Sequence, residues 1–307
     1  MAKIFIDGSA GTTGLRIRER LAERTDLEII TLTEELRKDT EARRAALNAA
    51  DIAFLCLPDA AAIEAVSLIE NPNTAVIDTS TAHRTNPAWE YGFPELAGRR
   101  ERIAASKRIA NPGCHASGFV ALVEPLVRAG IIAADTRLTA YSLTGYSGGG
   151  KKMIAEYEDC ERDELLDAPR MYGLGQTHKH LPEMSAVCGL LHAPIFCPVV
   201  APFYSGMEVT VPLFAEDVKG GIADIGKVYR EYYQNGLVSF AENADEGGFL
   251  SANAFSGRDG MQITVCGNGD RILLVSRFDN LGKGASGAAI QNMNILLGVD
   301  EATGLQV

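Results

Sequence analysis

Cys114 follows Asn111-Pro112-Gly113 and precedes a run that buries Val120, Leu122 and Val123 if it is helical. The Pro-Gly turn sets a sharp entry, so the thiol falls at a helix amino terminus. There the free N–H groups and the helix dipole favour the thiolate, the form that attacks a carbonyl carbon. The other five cysteines lack this setting. Cys56, Cys188, Cys197 and Cys266 lie in apolar or strand-like contexts and Cys160 in a charged, helical stretch, so all read as small hydrophobes. A thiol nucleophile needs a proton-transfer partner. The segment Gln176-Thr177-His178-Lys179-His180-Leu181-Pro182-Glu183 offers two. In an extended chain His178 and His180 point to one side, and Glu183 is placed to orient an imidazole or hold a substrate amide. Which histidine is the acid/base stays open, and a hydrogen-bonded structural pair is the alternative. A His-x-His pair also occurs at zinc, but no local cysteine accompanies it, and no metal is expected.

A second group of residues suits a dinucleotide. Lys3 to Asp7 reads as a buried strand, Gly8 to Gly14 as a glycine-rich turn, and Leu15 to Glu23 as a helix. Glycines let the backbone approach a pyrophosphate, whose charge is met by N–H groups at the helix start. Gly8, Ser9, Gly11 and Gly14 are the candidate contacts, with Thr12 and Thr13 as hydroxyl donors, although the glycine spacing departs from GxGxxG. The next strand, Leu27 to Leu32, ends without the Asp or Glu that would hold a ribose 2′-hydroxyl. Thr33 followed by Arg37 suits a 2′-phosphate better, so NADP is expected over NAD; solvated helix surface is the other reading of Arg37 and Lys38.

Further along, Asp51 to Pro58 is a strand whose last residue, Pro58, lies at the cofactor end before an alanine-rich helix. Val76 to Thr79 leads into Ser80, a further cofactor contact, His83, read as structural, and Arg84, the candidate cation for a substrate phosphate. The loop Ser142 to Lys152 lacks the GxxxxGK[ST] pattern. It offers Gly148 for close approach to the cofactor and Lys151 to neutralise phosphate; a flexible turn is the alternative.

These groups must be positioned by a chain of 307 residues, enough for two domains. With 29 basic and 40 acidic side chains the net charge is -11, which disfavours nucleic acid and anionic membrane as partners. No apolar run approaches a membrane span, and Met1 to Asp7 enters a strand pattern with no signal-peptide features. Six cysteines in such a chain read as reduced thiols, and a cytoplasmic location is expected. The strand–helix alternation of the first half predicts a parallel sheet covered on both faces.

The constellation resembles the semialdehyde dehydrogenases, and within them the shorter form of the N-acetyl-gamma-glutamyl-phosphate reductases. The resemblance covers nearly the whole chain. It is carried by the turn Gly8 to Gly14, the motif Asn111-Pro-Gly-Cys114, the segment His178-Lys-His180-Leu-Pro-Glu183, and Asn280-Leu-Gly-Lys283-Gly284-Ala-Ser-Gly287 with Gln291-Asn292. His115-Ala116-Ser117 departs from the aromatic residue and threonine that longer members carry beside the cysteine. The resemblance implies an α/β fold, a Rossmann-type doubly wound domain plus an α+β catalytic and dimerisation domain with a mixed sheet. The expected boundaries are 1–112 for the NADP-binding domain, 113–279 for the catalytic domain and 280–307 for a helix returning to the first domain. It also implies NADPH as reductant, a small acyl-phosphate substrate, a homodimer or homotetramer, Asn111 in the substrate site and Asn280 beside the cofactor. The expected reaction is reduction of an acyl phosphate through a cysteine thioester. Rival readings are an aspartyl- or carrier-bound aminoadipyl-phosphate reductase, and a non-enzymatic NADP-binding thiol sensor.

Overall fold

The computed structural model describes residues 1–9 and 11–307; Ala10, inside the glycine-rich turn, lies outside the described residues. The chain forms two compact units, one made of Met1–Pro94, Gly98–Pro112 and Ala285–Leu305, the other of Glu95–Ala97, Gly113–Gly284 and Gln306–Val307. The first unit begins with β1 (Ala2–Asp7), α1 (Thr12–Leu21), β2 (Leu27–Ile30), α2 (Thr40–Ala49), β3 (Ile52–Leu55) and α3 (Asp59–Ser67). It continues with β4 (Ala75–Asp78), β5 (Glu90–Tyr91), α4 (Arg99–Ala105) and β6 (Arg108–Ala110). The second unit contains α5 (Cys114–Arg128), β7 (Thr139–Gly145), α6 (Gly150–Glu158), β8 (Arg170–Met171), α7 (Leu181–Cys188) and β9 (Ile195–Ala201). It is completed by β10 (Met207–Phe214), α8 (Ile222–Tyr232), β11 (Val238–Phe240), β12 (Met261–Gly267) and β13 (Arg271–Phe278), after which α9 (Gly287–Leu297) rejoins the first unit.

In the first unit six strands run parallel in the order β2-β1-β3-β4-β6-β5. The strands are apolar on both faces because both faces are covered. Ile4 and Ile6 of β1 join Ile17 and Leu21 of α1 and Ala289, Ile290 and Met293 of α9. Phe5, facing the other way, joins Ala46 and Leu47 of α2 and Ala62 and Ala65 of α3. Each of the larger side chains buried this way contributes roughly 1.5–3 kcal/mol. The sheet reverses its winding at β1, with β2 on one side and β3 on the other, and the turns after β1 and β3 both open there. Such a switch point is where open α/β sheets bind ligands.

The second unit carries a mixed seven-stranded sheet in the order β11-β12-β13-β10-β7-β9-β8. Helix α5 is buried along most of its length, lies against β10 and β13, and is flanked by α7 and α8. An all-round apolar sequence such as Phe119-Val-Ala-Leu-Val123 has no other place to go. On the opposite face Tyr141, Ile195, Phe214 and Leu273 are exposed. Among the described residues no helix is long and apolar enough to cross a membrane.

Some element boundaries differ from the sequence expectation. The helix expected over Leu15 to Glu23 is Thr12–Leu21, and the strand expected over Leu27 to Leu32 is Leu27–Ile30. Residues 280–300 are not one helix: Gly282–Ser286 forms a wide π-type turn before α9 begins. Buried Asp279 explains this, since its carboxylate accepts from the N–H groups of Leu281 (2.7 Å) and Gly282 (2.9 Å) and its carbonyl from Gly284 (3.0 Å).

Candidate active site

In the second unit Cys114 is the first residue of α5, half-buried, with Gly113 as the cap residue. The Gly113 N–H donates to Glu183 Oε2 at 3.1 Å, and the other carboxylate oxygen of Glu183 lies 4.0 Å from His180 Nε2. Glu183 is 1% exposed, so one buried carboxylate holds the N–H of the residue before the thiol and faces an imidazole. A side chain on Gly284 would come within 3.0 Å of Cys114 Cβ, so the turn after β13 also closes on the thiol.

His178 and His180 do share a side, with ring centroids 4.8 Å apart, but not because the segment is extended. It is a turn: Gln176 has φ +54°, Leu181 N–H donates to His178 O, and His180 N–H donates to His178 Nδ1 at 3.3 Å. The Gln176 side chain fastens this turn to β9, donating to Phe196 O (2.7 Å) and accepting from Phe196 N–H (2.9 Å). His180 is buried and His178 half-buried. Burial and then the nearby Lys179 charge hold the His178 imidazole below the usual histidine range.

A third imidazole completes the cluster. The His115 ring lies 5.6 Å from His178 and 5.5 Å from His180, with Phe196 at 5.3 Å. Its Nδ1 is 2.6 Å from Ser142 Oγ and its Nε2 2.6 Å from the Tyr172 hydroxyl. With both nitrogens engaged it is not disposed to ligate, and among the described residues no three His, Cys, Asp or Glu side chains are arranged to hold a metal. Three of the other thiols sit where burial opposes ionisation. Burial pushes Cys56 up to about 12 and Cys188 well above the ordinary thiol range, and Cys266 is raised for the same reason.

The dinucleotide candidates gather in the first unit. Gly8 has φ +84°, and a Cβ there would sit 2.3 Å from Cys56 O, while one on Gly14 would sit 2.6 Å from Gly8 O. Both positions therefore require glycine. Gly11 caps α1 with no side-chain hydrogen bond, so the first N–H groups of the helix, from Thr12 and Thr13 on, are presented beside Ser9. This cradle fits a pyrophosphate. Pro58, the cap residue of α3, lies at the neighbouring strand end. Thr33 O accepts from the N–H groups of Leu36 and Arg37, and the exposed Arg37 guanidinium pairs with Glu34.

Ser80 and Arg84 are held by the chain itself. Ser80 Oγ donates to Asp78 at 2.7 Å, and Asp78 also meets His83 Nδ1 at 2.6 Å, with His83 stacked on Trp89. Arg84 donates from Nε to Asn111 O (2.9 Å) and from Nη2 to Thr79 O (3.0 Å), which makes it a strut for the segment leading to Cys114. Asn111, 1% exposed, donates to Ala285 O and accepts from Asn292 Nδ2. Asn280, in the second unit, accepts from Gly206 N–H and donates to Ser147 Oγ, both through its side chain. Gly148 and Lys151 are both exposed around the start of α6.

Residues 3–106 match the family described as semialdehyde dehydrogenase, NAD binding domain, and residues 114–280 match semialdehyde dehydrogenase, dimerisation domain. The chain is 49% identical to N-acetyl-gamma-glutamyl-phosphate reductase of Brucella ovis, over 96% of this chain and 99% of that one. The chain belongs to the semialdehyde dehydrogenase family, in its N-acetyl-gamma-glutamyl-phosphate reductase branch. The Brucella melitensis reductase is likewise 49% identical over the same shares. Solved structures confirm the fold of this family member. Aspartate semialdehyde dehydrogenase II of Vibrio cholerae superposes with a TM-score of 0.71 at 16% identity, covering 97% of this chain and 98% of that one. The Candida albicans enzyme, solved with NADP, gives 0.69 at 15% identity, covering 97% and 99%.

Ser142 and Tyr172, which hold His115, and Gln176, which holds the histidine turn, were not singled out from the sequence, and His115 was noted only as a departure. His115 had a signal, its place directly after Cys114. Ser142 and Tyr172 had none, because only the packing of α5 on the sheet brings them to it.

Proposed function

We propose that this chain reduces N-acetyl-L-glutamyl 5-phosphate to N-acetyl-L-glutamate 5-semialdehyde, releasing phosphate, in arginine biosynthesis. The observation that carries the reading is the thiol of Cys114 at the start of α5, with Glu183 accepting the preceding N–H and facing His180 at 4.0 Å. The Cys114 thiolate attacks the acyl carbon, the phosphate departs with its bonding pair, and a thioester remains. Bound NADPH supplies the hydride that reduces this thioester. His180, oriented by the Glu183 carboxylate, donates the proton that turns the developing oxyanion into a thiohemiacetal and takes it back as the carbon–sulfur bond breaks. Sulfur suits both halves, a good nucleophile first and a good leaving group later. His178, whose Nδ1 accepts a backbone N–H, presents Nε2 as a donor to the substrate. The glycine turn and Pro58 hold the cofactor; Thr33 and Arg37 supply the 2′-phosphate contact once Glu34 exchanges its partner. Lys151 is the cation for the departing phosphate, in preference to Arg84, two of whose donors hold backbone carbonyls.

The assembly is a homodimer formed through the open face of the seven-stranded sheet, where Tyr141, Phe214 and Leu273 need cover. The enzyme works in the cytoplasm. The test is phosphate-dependent reduction of NADP by N-acetyl-glutamate 5-semialdehyde, beside Cys114→Ser and with aspartate semialdehyde as control. Activity confined to the acetylated substrate and lost with Cys114 supports the reading. A folded protein inactive on both aldehydes overturns it.

A further inference from the structure

Among the described residues Gln176 is the one residue other than glycine with a positive φ, +54°. Its own Cβ disfavours this left-handed region, so the conformation persists only where the surroundings over-determine it. Two sets of hydrogen bonds do so. The Gln176 backbone N–H closes a turn on Gly173 O at 3.0 Å. The side-chain amide engages Phe196 with both ends, Nε2 donating to the carbonyl at 2.7 Å and Oε1 accepting the N–H at 2.9 Å. The edge of the sheet explains why. Strand β8 pairs with β9 at Arg170 and Met171, and Tyr172 N–H adds a last rung to Pro198 O at 3.0 Å. Phe196 is 1% exposed and lies beyond that rung, with an N–H and a C=O that burial requires to be paired. The Gln176 amide, one donor and one acceptor side by side, stands there in place of a strand residue.

The residue clamped in this way also lines the histidine cluster. The Phe196 ring packs edge-on against His178 at 5.1 Å and against His115 at 5.3 Å. Gln176 therefore fixes both the start of the turn and the aromatic wall against which its first imidazole rests. The next contact carries the order onward, His180 N–H donating to His178 Nδ1 at 3.3 Å with the two rings 4.8 Å apart. We propose that Gln176 is the positioning residue of the histidine pair, its amide rung on Phe196 holding the His178 and His180 rings in the arrangement that proton transfer uses. This rests on the reading of His180 as the proton-transfer group. Each neighbouring residue type fails for its own reason. Asn accepts the left-handed backbone more readily, but its amide is one methylene too short. Glu keeps an acceptor for the Phe196 N–H and sets a second acceptor against the Phe196 carbonyl. Met matches the length and makes neither bond.

The test separates kcat from KM in semialdehyde oxidation with NADP and phosphate. Misplacing a catalytic group by about 1 Å costs up to roughly 100-fold, so Gln176→Met and Gln176→Asn should each lower kcat about 10- to 100-fold. Neither KM should move more than about threefold, since the side chain touches no substrate. Added to His180→Asn, Gln176→Met should lower kcat by less than about twofold more, because the group it positions is already gone. If Gln176→Met does not fold, Gln176→Glu, which keeps one of the two bonds, takes its place with a smaller loss. A second readout needs no turnover. The imidazole Hε1 resonances of His178 and His180, assigned with His178→Asn and His180→Asn, should shift in the Gln176 variants while that of His83 stays. An unchanged kcat, a full further loss on top of His180→Asn, or unmoved His178 and His180 resonances overturns the positioning role and leaves the proposed reaction standing. A His180→Asn protein with the parent's kcat overturns instead the reading of His180, and the positioning role with it. A parent inactive on the aldehyde overturns the proposed reaction, and the resonances then decide whether Gln176 places the rings.

Discussion

Lys283→Met should be among the most damaging substitutions available far from any surface. Lys283 is 0% exposed and its Nζ donates to both oxygens of Glu95 at 2.8 Å, while Glu95, also buried, accepts the Leu237 N–H at 3.1 Å. Removing the ammonium takes both of these charge-assisted hydrogen bonds from a buried carboxylate, a change that costs about 3–5 kcal/mol. For a unit of this size each kcal/mol lowers the melting temperature by roughly 2–4 °C, so a drop of about 6–20 °C is expected by calorimetry. Glu95→Gln combined with Lys283→Met removes the charge yet keeps an acceptor for Leu237, and should recover more than half of the loss. A Lys283→Met protein melting within 2 °C of the parent would refute the reasoning, as would a double variant less stable than the single one.

Gly8→Ala forces a left-handed residue against Cys56 O; we expect a loss of about 2–4 kcal/mol in the first unit and weaker NADPH binding by fluorescence titration. Glu183→Gln keeps an acceptor for the Gly113 N–H but removes the charge facing His180, so kcat should fall about 10- to 100-fold with little change in melting temperature. An unchanged kcat would remove Glu183 from the mechanism. On the acid side, the unfolded His115 imidazole takes up a proton below about 6.5, whereas the folded one does not until about 3. The unfolded state therefore binds more protons in that window, and stability falls as pH drops, by up to about 1.4 kcal/mol per unit. Urea unfolding between pH 4.5 and 6.5 should show this slope reduced in His115→Phe; an equal slope in both proteins contradicts it.

Local pattern carried much of this architecture. The apolar strands of the first half, the glycine turn after β1 and the Pro-Gly entry to α5 are short-range features, set by backbone conformation and burial period. They led to the doubly wound sheet and to Cys114 without tertiary information. The pairing of His178 with His180 was also legible, although its cause was misjudged: a turn stapled by Gln176, not a strand, brings the rings together. Arg84 shows the opposite limit. Its position after a strand end suggested phosphate, and nothing local revealed that the carbonyls of Thr79 and Asn111 would take its donors.

What the amino-acid sequence determined by itself was the set of elements and the place of Cys114 at the start of α5, because those depend on neighbours within a few residues. Only the tertiary structure decided that Glu95, Leu96 and Ala97 leave the first unit to join the second, where Glu95 meets Lys283 and Ala97 N–H meets the Tyr232 hydroxyl. It alone joined Ser142, His115 and Tyr172, which come from a strand, a helix and a loop. Hydrogen bonds and ion pairs between such distant residues leave no period in the chain. Their partners are selected by which faces pack together, and that choice is made only when the whole unit has folded.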